Sequence, residues 1–465
     1  MTRPSTRPRR IAIVGAGFSG AVTAVQLLRH APAEGLQVVL INESGRMARG
    51  LAYGTSSREH VLNVPAANMS ALAQDAEDFL RYCRWSDPQV EPTSFVSRRL
   101  YGAYLDALLS AAELTAAPAI ALERIVGRVI GLDIDADAGV AIRLAQGGLI
   151  AADHVVLAFG HFAPLDPLPP AAIAAAGARY IRDPWARGAL QGIGANDDVL
   201  LVGAGLTAVD VALALARDAR RGRLISISRR GLAPNPHRRS GAAPGALDAG
   251  ALVAAMGDSL RQQWRVLRRD IAARIANGED WRDVIGALRA HTPALWQRLS
   301  AVDRARFLRH ARPHWEVLRH RCAPAAHEAY QGLVEQGALD VRAARMVSVE
   351  PGDAGLVVQL QRRGAAGTER LTVQHIVNCT GPSSDLRRCP SPLVRDLLEA
   401  GWICPDPLGL GLQVDPHYAV VGRDGVASPR LSYIGPLLKA RDWEATAVPE
   451  LRTHAWQLAQ RLLGL

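Results

Sequence analysis

The sequence predicts an α/β protein of two dinucleotide-binding (Rossmann-like) domains, with a helical insertion in the second. Three observations carry that expectation. The apolar run Ile11–Val14 leads straight into Gly15-Ala16-Gly17-Phe18-Ser19-Gly20, and Val199–Val202 leads into Gly203-Ala204-Gly205-Leu206-Thr207-Ala208. Each fingerprint stands where a buried parallel strand turns into a helix, and glycine there permits a tight turn and close backbone approach to a pyrophosphate. Between the second fingerprint and the C-terminus, about 250–332 breaks the α/β rhythm with a basic helical pattern interleaved with Trp264, Trp281, Trp296 and Trp315.

In chain order, residues 10–43 read as strand, helix from about Phe18 to Leu28, and strand Gln37–Ile41. Glu43 follows Gly20 by 23 residues, where a carboxylate accepts hydrogen bonds from an adenosine ribose, so the first site is expected to hold FAD. Residues 44–75 form a long loop-like stretch, a length that is usually functional. Helices are expected near 75–85 and 98–112, and the run Asp153–Gly160 returns the chain toward the flavin at Gly160. The second βαβ ends its strand Leu224–Ser228 in Arg229-Arg230 instead of a carboxylate; guanidinium groups there suit a 2′-phosphate, favouring NADPH. Strand-like runs Val341–Val349, Val357–Leu360 and Leu371–Cys379 precede Thr380-Gly381-Pro382, a second strand-to-glycine turn, and a terminal helix begins near Thr446. The expected division is an FAD-binding domain at 1–165 and 376–465, and an NADPH-binding domain at 180–375 carrying an insertion at 247–335.

Composition bounds the rest. The formal charge is +10, but the 54 basic residues include one lysine, Lys439, a skew that fits a GC-rich bacterial genome better than polyanion binding. No nucleic-acid or membrane partner is expected. No apolar run approaches the roughly 20 residues of a bilayer span, and the basic N-terminus runs into the glycine fingerprint where a signal peptide would need its apolar core. Five scattered cysteines without a CxxC argue for a reducing cytoplasm and against a dithiol-shuttling reductase or a cysteine metal site. His310 and His314 are spaced i, i+4, but Pro313 intervenes and no metal is expected.

Further residues carry a family resemblance. Gly15–Gly20, Ala52-Tyr53-Gly54-Thr55 with Leu62-Asn63-Val64-Pro65-Ala66, Arg98–Leu105, Asp183-Pro184-Trp185, Arg306–His310, Asn378–Pro382 and Trp443–Arg452 resemble the bacterial FAD-NAD(P)-binding proteins, a largely uncharacterised group related to class B flavoprotein monooxygenases. The resemblance spans nearly the whole chain. It implies FAD and a nicotinamide cofactor, and some relatives are N-oxygenases of small amino acids such as aspartate. Phe159-Gly160-His161-Phe162 lacks the spacing of the Baeyer–Villiger signature, which argues against ketone oxygenation.

The paired cofactors imply an oxidoreductase in which NADPH reduces the flavin, oxygen forms a C4a-hydroperoxyflavin, and a small polar substrate, an amine or amino acid, is oxygenated. A reductase passing electrons to a partner or quinone, or a redox-sensing flavoprotein, are the alternatives. Asn63 and His60, in the loop beside the flavin, are the candidate catalytic residues, with Ser70, Met69 and His161 weaker. Glu444 and Thr446 are expected at the N-terminus of the last helix, facing the flavin. Lys439 reads as a surface residue.

Overall fold

The computed structural model describes residues 8–55, 60–135, 138–186, 188–216, 220–239 and 247–465. Along the chain, β1 (Arg9–Val14), helix α1 (Phe18–His30), β2 (Leu36–Asn42), α2 (Arg98–Leu114) and β3 (Ile120–Val126) come first. A meander of β4 (Val129–Asp135), β5 (Gly139–Leu144) and β6 (Leu149–Ala152) leads to β7 (His154–Leu157). The second unit holds β8 (Tyr180–Ile181), β9 (Val199–Val202), α3 (Leu206–Leu215) and β10 (Leu224–Ser228). The helices α4 (Leu260–Ala276), α5 (Trp281–Leu288), α6 (Arg312–Arg319) and α7 (Pro324–Glu335) follow. The chain ends with β11 (Leu339–Gly352), β12 (Gly355–Arg362), β13 (Thr368–Val373), β14 (His375–Asn378), β15 (Ala419–Val421), β16 (Ala427–Tyr433) and α8 (Val448–Leu463).

The first sheet has the order β15-β16-β7-β1-β2-β3 and the second β13-β12-β11-β10-β9-β14-β8. Both share one plan. A fingerprint strand (β1 or β9) pairs in parallel with the next strand on one side and, on the other, with the strand that closes an antiparallel meander (β7 or β14). Both faces of these parallel strands are covered, so Ile11–Val14 and Val199–Val202 are continuous apolar runs with every residue buried. A boundary at 376 would cut β14, which belongs to the second sheet beside β9; the chain returns to the first sheet only at β15 and β16.

The segment 44–75 is not wholly irregular: it carries a short helical turn at Gly50–Tyr53 and a 3-10 turn at Ala66–Asn68. The terminal helix begins at Val448, two residues beyond the expected start, and stops at Gly464 with φ 74°. In the insertion, helix starts are marked by side-chain caps: Ser259 accepts from the Gln262 N–H before α4, and Asp280 from the Arg282 N–H before α5. A single π turn, Phe307–Ala311, leads into α6.

The insertion interrupts the second unit in sequence but docks on the first in space. Trp296 and Trp443 pack with ring centroids 4.7 Å apart and planes tilted by 32°, and Trp296 Nε1 donates to the Ala440 carbonyl at 3.1 Å. Arg289 also forms a two-point pair with Glu450 of α8. A second tie joins the units directly: Arg98 of α2 meets Asp210 of α3 at 2.7 Å, both side chains 14% exposed. No helix among the described residues is long and apolar enough to cross a membrane.

Gly203 has φ +120°, and a Cβ there would overlap the Cys379 carbonyl, whereas a Cβ on Gly205 meets nothing within 4 Å. Gly203→Ala should therefore cost at least about 2 kcal/mol, while Gly205→Ala stays within about 0.5 kcal/mol. Thermal or denaturant unfolding of the two variants checks the contrast.

Candidate cofactor and substrate site

The first crevice opens at the C-terminal ends of β1 and β2. Gly15 has φ +107°, and an added Cβ would stand 2.7 Å from the Ala158 carbonyl oxygen of the neighbouring strand. Gly20 packs against the Gly15 carbonyl, so both outer glycines serve helix–strand approach. Helix α1 starts after Gly17 with no side-chain cap and no acid in its first turn. Bare N–H groups at the positive end of a helix suit a pyrophosphate, so the local structure fits FAD. Beside them lies a cleft of about 380 Å³ lined by Gly15, Asn42, Glu43, Gly127, Arg128 and Phe162 among others, with Glu43 largely exposed. Phe18 and Ser19 are buried: Phe18 packs against Tyr53 and Tyr101, and the Ser19 carbonyl accepts from Thr23. Their side chains belong to the core, leaving their N–H groups to the crevice. Gly160 and Gly381 have open space where a Cβ would stand.

The second crevice repeats the pattern. Helix α3 starts after Gly205 with no side-chain cap. Thr207 lies in its first turn, half-buried. Ala208 is fully buried and its N–H bonds the Gly205 carbonyl at 2.9 Å, so it packs the helix on the sheet and does not face a ligand. At the end of β10, Arg229 is exposed, and Arg230 Nη2 donates to the His310 carbonyl in the π turn at 3.3 Å. The uncapped helix start, the open space at Gly205 and the exposed Arg229 suit a dinucleotide phosphate.

A cavity of about 930 Å³ lies between the two units. Its walls come from the 62–69 loop, the start of α3 at Leu206, the 237–239 loop, the insertion, and Thr446–Arg452. Eight arginines line it against one carboxylate, Asp283. Most are neutralised from behind: Arg98 by Asp210, Arg238 by Asp280 and Asp283, Arg289 by Glu450, Arg319 by Glu444. Among the described residues, no carboxylate pairs with Arg321 or Arg452. Burial, reinforced by Arg319, Arg282 and Arg238, pulls Arg321 down to about 10, so it remains charged at neutral pH.

Asn63, Met69 and Thr446 line this cavity. The Asn63 carbonyl accepts from His237 Nε2 at 2.8 Å, across the two units. His60 is not on the cavity wall: its Nδ1 bonds Thr55 at 2.8 Å and its ring sits edge-on to Trp185 at 5.2 Å. That is an inter-unit packing position, and it corrects the catalytic expectation. Ser70 is buried and bonded to the Asp75 carbonyl. His161 is exposed at the turn after β7.

Glu444 is also corrected. It is 3% exposed and turned away from the cavity, accepting from Trp315 Nε1 at 2.7 Å and meeting Arg319 Nε at 3.1 Å. The helix it was expected to start begins four residues later. Lys439 is half-buried, with Nζ 4.3 Å from the Trp443 ring centroid, and is not a free surface residue. His310 and His314 form no metal cluster among the described residues. The sequence alternation Arg309, Arg312, Trp315, Arg319 and Arg321 reads either as a grip for a carboxylate substrate or cofactor or as a solvated basic face, and of these Arg319 and Arg321 stand on the cavity wall. The arginines that join them from other segments, His237 and His320 escaped the sequence reading.

The comparisons agree with this architecture. Residues 12–162 match the FAD-NAD(P)-binding family model. No curated protein matches. Among solved structures, ornithine hydroxylase from Pseudomonas aeruginosa is similar at 13% identity and TM-score 0.65, covering 98% of this chain and 99% of that one. L-lysine 6-monooxygenase from Pseudomonas syringae is similar at 17% identity and TM-score 0.64, again over 98% and 99%. The bacillithiol disulfide reductase of Staphylococcus aureus is similar at 10% identity and TM-score 0.55 over the same shares. At these identities the likeness is one of fold: two dinucleotide-binding units facing one another over nearly the whole chain.

Proposed function

We propose that this protein is an FAD-dependent, NADPH-consuming monooxygenase that N-hydroxylates a small amino acid carrying more than one carboxylate. The observation that carries the reading is the cationic cavity, lined by residues of both units from Asn63 to Leu206 and by eight arginines against one carboxylate. When bound, FAD and NADPH supply the electron transfer and oxygen activation. The chain binds, orients and shields. Uncapped helix starts at Gly17 and Gly205 hold the two pyrophosphates, and Arg229 and Arg230 read the 2′-phosphate. Asn63 and Thr446 stand on the cavity wall where a flavin edge would face substrate. Arg321 and Arg452 receive substrate carboxylates, since an unpaired guanidinium in a partly desolvated wall gains most from an anion.

Two solved structures similar in fold bear names of enzymes that hydroxylate ornithine or oxygenate lysine. The disulfide reductase alternative requires a pair of low-pKa thiols. Here the five cysteines are all unpaired, and burial pushes Cys83 to about 12 and Cys322 to about 11.

The test is NADPH oxidation and product analysis by the FAD-loaded full chain with L-aspartate, L-glutamate, L-ornithine and L-lysine. An acidic amino acid should accelerate NADPH consumption and accumulate as its N-oxygenated product. Hydrogen peroxide alone with every amino acid, or fast electron transfer only to a quinone, would overturn the reading. Replacing Arg229 and Arg230 by Ser should raise the KM for NADPH about 10- to 100-fold while leaving that for NADH within about twofold, as loss of charge-assisted bonds to phosphate requires. Arg321→Met should raise the amino-acid KM by about tenfold or more without changing the rate of flavin reduction by NADPH; an unchanged KM would remove Arg321 from the substrate site.

A further inference from the structure

N-oxygenation needs a nitrogen lone pair, yet an amino acid reaches the cavity as an ammonium ion at neutral pH. Some group must take that proton. Three side chains on the wall can accept one: Asp283, His237 and His320. Asp283 is held by Arg238 at 2.7 Å. His237 is committed through Nε2 to the Asn63 carbonyl, and burial, with Arg321 adding, pulls it to about 4. His320 makes no side-chain hydrogen bond to any described residue and is half-buried at the C-terminal end of α6. It is the uncommitted base of the cavity.

Its surroundings are built for a charge that comes and goes. Burial lowers the His320 pKa, so the imidazole is neutral at pH 7. The charged groups around it are Glu316 and Arg319 of its own helix, and Glu444 and Lys439 from the segment before α8. Glu444 is fixed in place. Its backbone sits at φ +81°, a conformation costing a non-glycine residue about 1–3 kcal/mol unless the surroundings over-determine it. Trp315 and Arg319 do so by gripping its two carboxylate oxygens. Although burial opposes ionisation, Arg319, the Trp315 hydrogen bond and Lys439 help to keep this carboxyl below its ordinary range, so it is an anion.

We propose that His320 is the base that deprotonates the substrate ammonium group, with Glu444 as a positioning residue that stabilises the imidazolium. One N–H bond of the ammonium breaks, its electron pair stays on nitrogen as the lone pair, and the proton bonds a free imidazole nitrogen; nothing is oxidised or reduced in this step. The assignment rests on the N-oxygenation reading above.

The experiment compares kcat/KM against pH for the FAD-loaded wild type, His320→Gln, His320→Asn and Glu444→Gln, using whichever of the four amino acids the wild type turns over. The wild type should be level through neutral pH and fall in acid as His320 protonates. Both His320 variants should lose about 10²- to 10⁴-fold at pH 7 and regain about tenfold per pH unit as more of the amine arrives neutral, with NADPH reduction of the flavin unchanged. Glu444→Gln should lose less and move the acid limb. A His320 variant with the wild-type profile, or with an equal loss at every pH, overturns the role of His320 and leaves the oxygenase reading standing. A wild type that oxygenates none of the four overturns both.

Discussion

One steric constraint, used twice, organises the molecule. At Gly15 and at Gly203 the fingerprint strand turns so close to its neighbour that a side chain would strike the carbonyl of Ala158 or of Cys379. Both glycines adopt positive φ, and each turn aims an uncapped helix start at the space beyond the strand ends. The crevice, the orientation of α1 or α3, and the return path of β7 or β14 all follow from that approach. The outer glycines and Ala208 serve packing; the openness that admits a ligand is found at Gly205.

The insertion walls a cavity between the two units. Its helices belong to the second unit by sequence, but Trp296, Arg289 and Trp315 anchor them to residues 440–450 beside α8. Arginines from five separated stretches of the chain meet on one wall. Carboxylates behind the wall satisfy most of them, which lowers the electrostatic cost of assembling so many like charges. The residue of unpaired charge, at Arg321 and Arg452, faces the cavity.

Much of the candidate cofactor site was legible in the sequence because it depends on local chemistry. A strand, a glycine turn and a helix lie within a few residues of one another, so Gly15–Gly20 and Gly203–Ala208 mark their own geometry. Where the reading failed, contacts between distant residues decided the outcome. His60 was drawn away by Thr55 and by Trp185, over a hundred positions along the chain. Glu444 was drawn away by Trp315 and Arg319 of the insertion, and Lys439 lies on the Trp443 ring. Asn63 and Thr446 reached the cavity because their own loop and helix start carry them there.

The sequence by itself determined the two βαβ units, their order and the chemical sign of the residue ending each second strand, Glu43 or Arg230. Those are properties of short segments, governed by backbone sterics and burial over a handful of positions. Only the tertiary structure decided which arginines are neutralised, which histidine is left uncommitted, and that residues of both units line one cavity. Charge pairing and proton acceptance depend on distances between side chains far apart in the chain, and no local pattern encodes those distances.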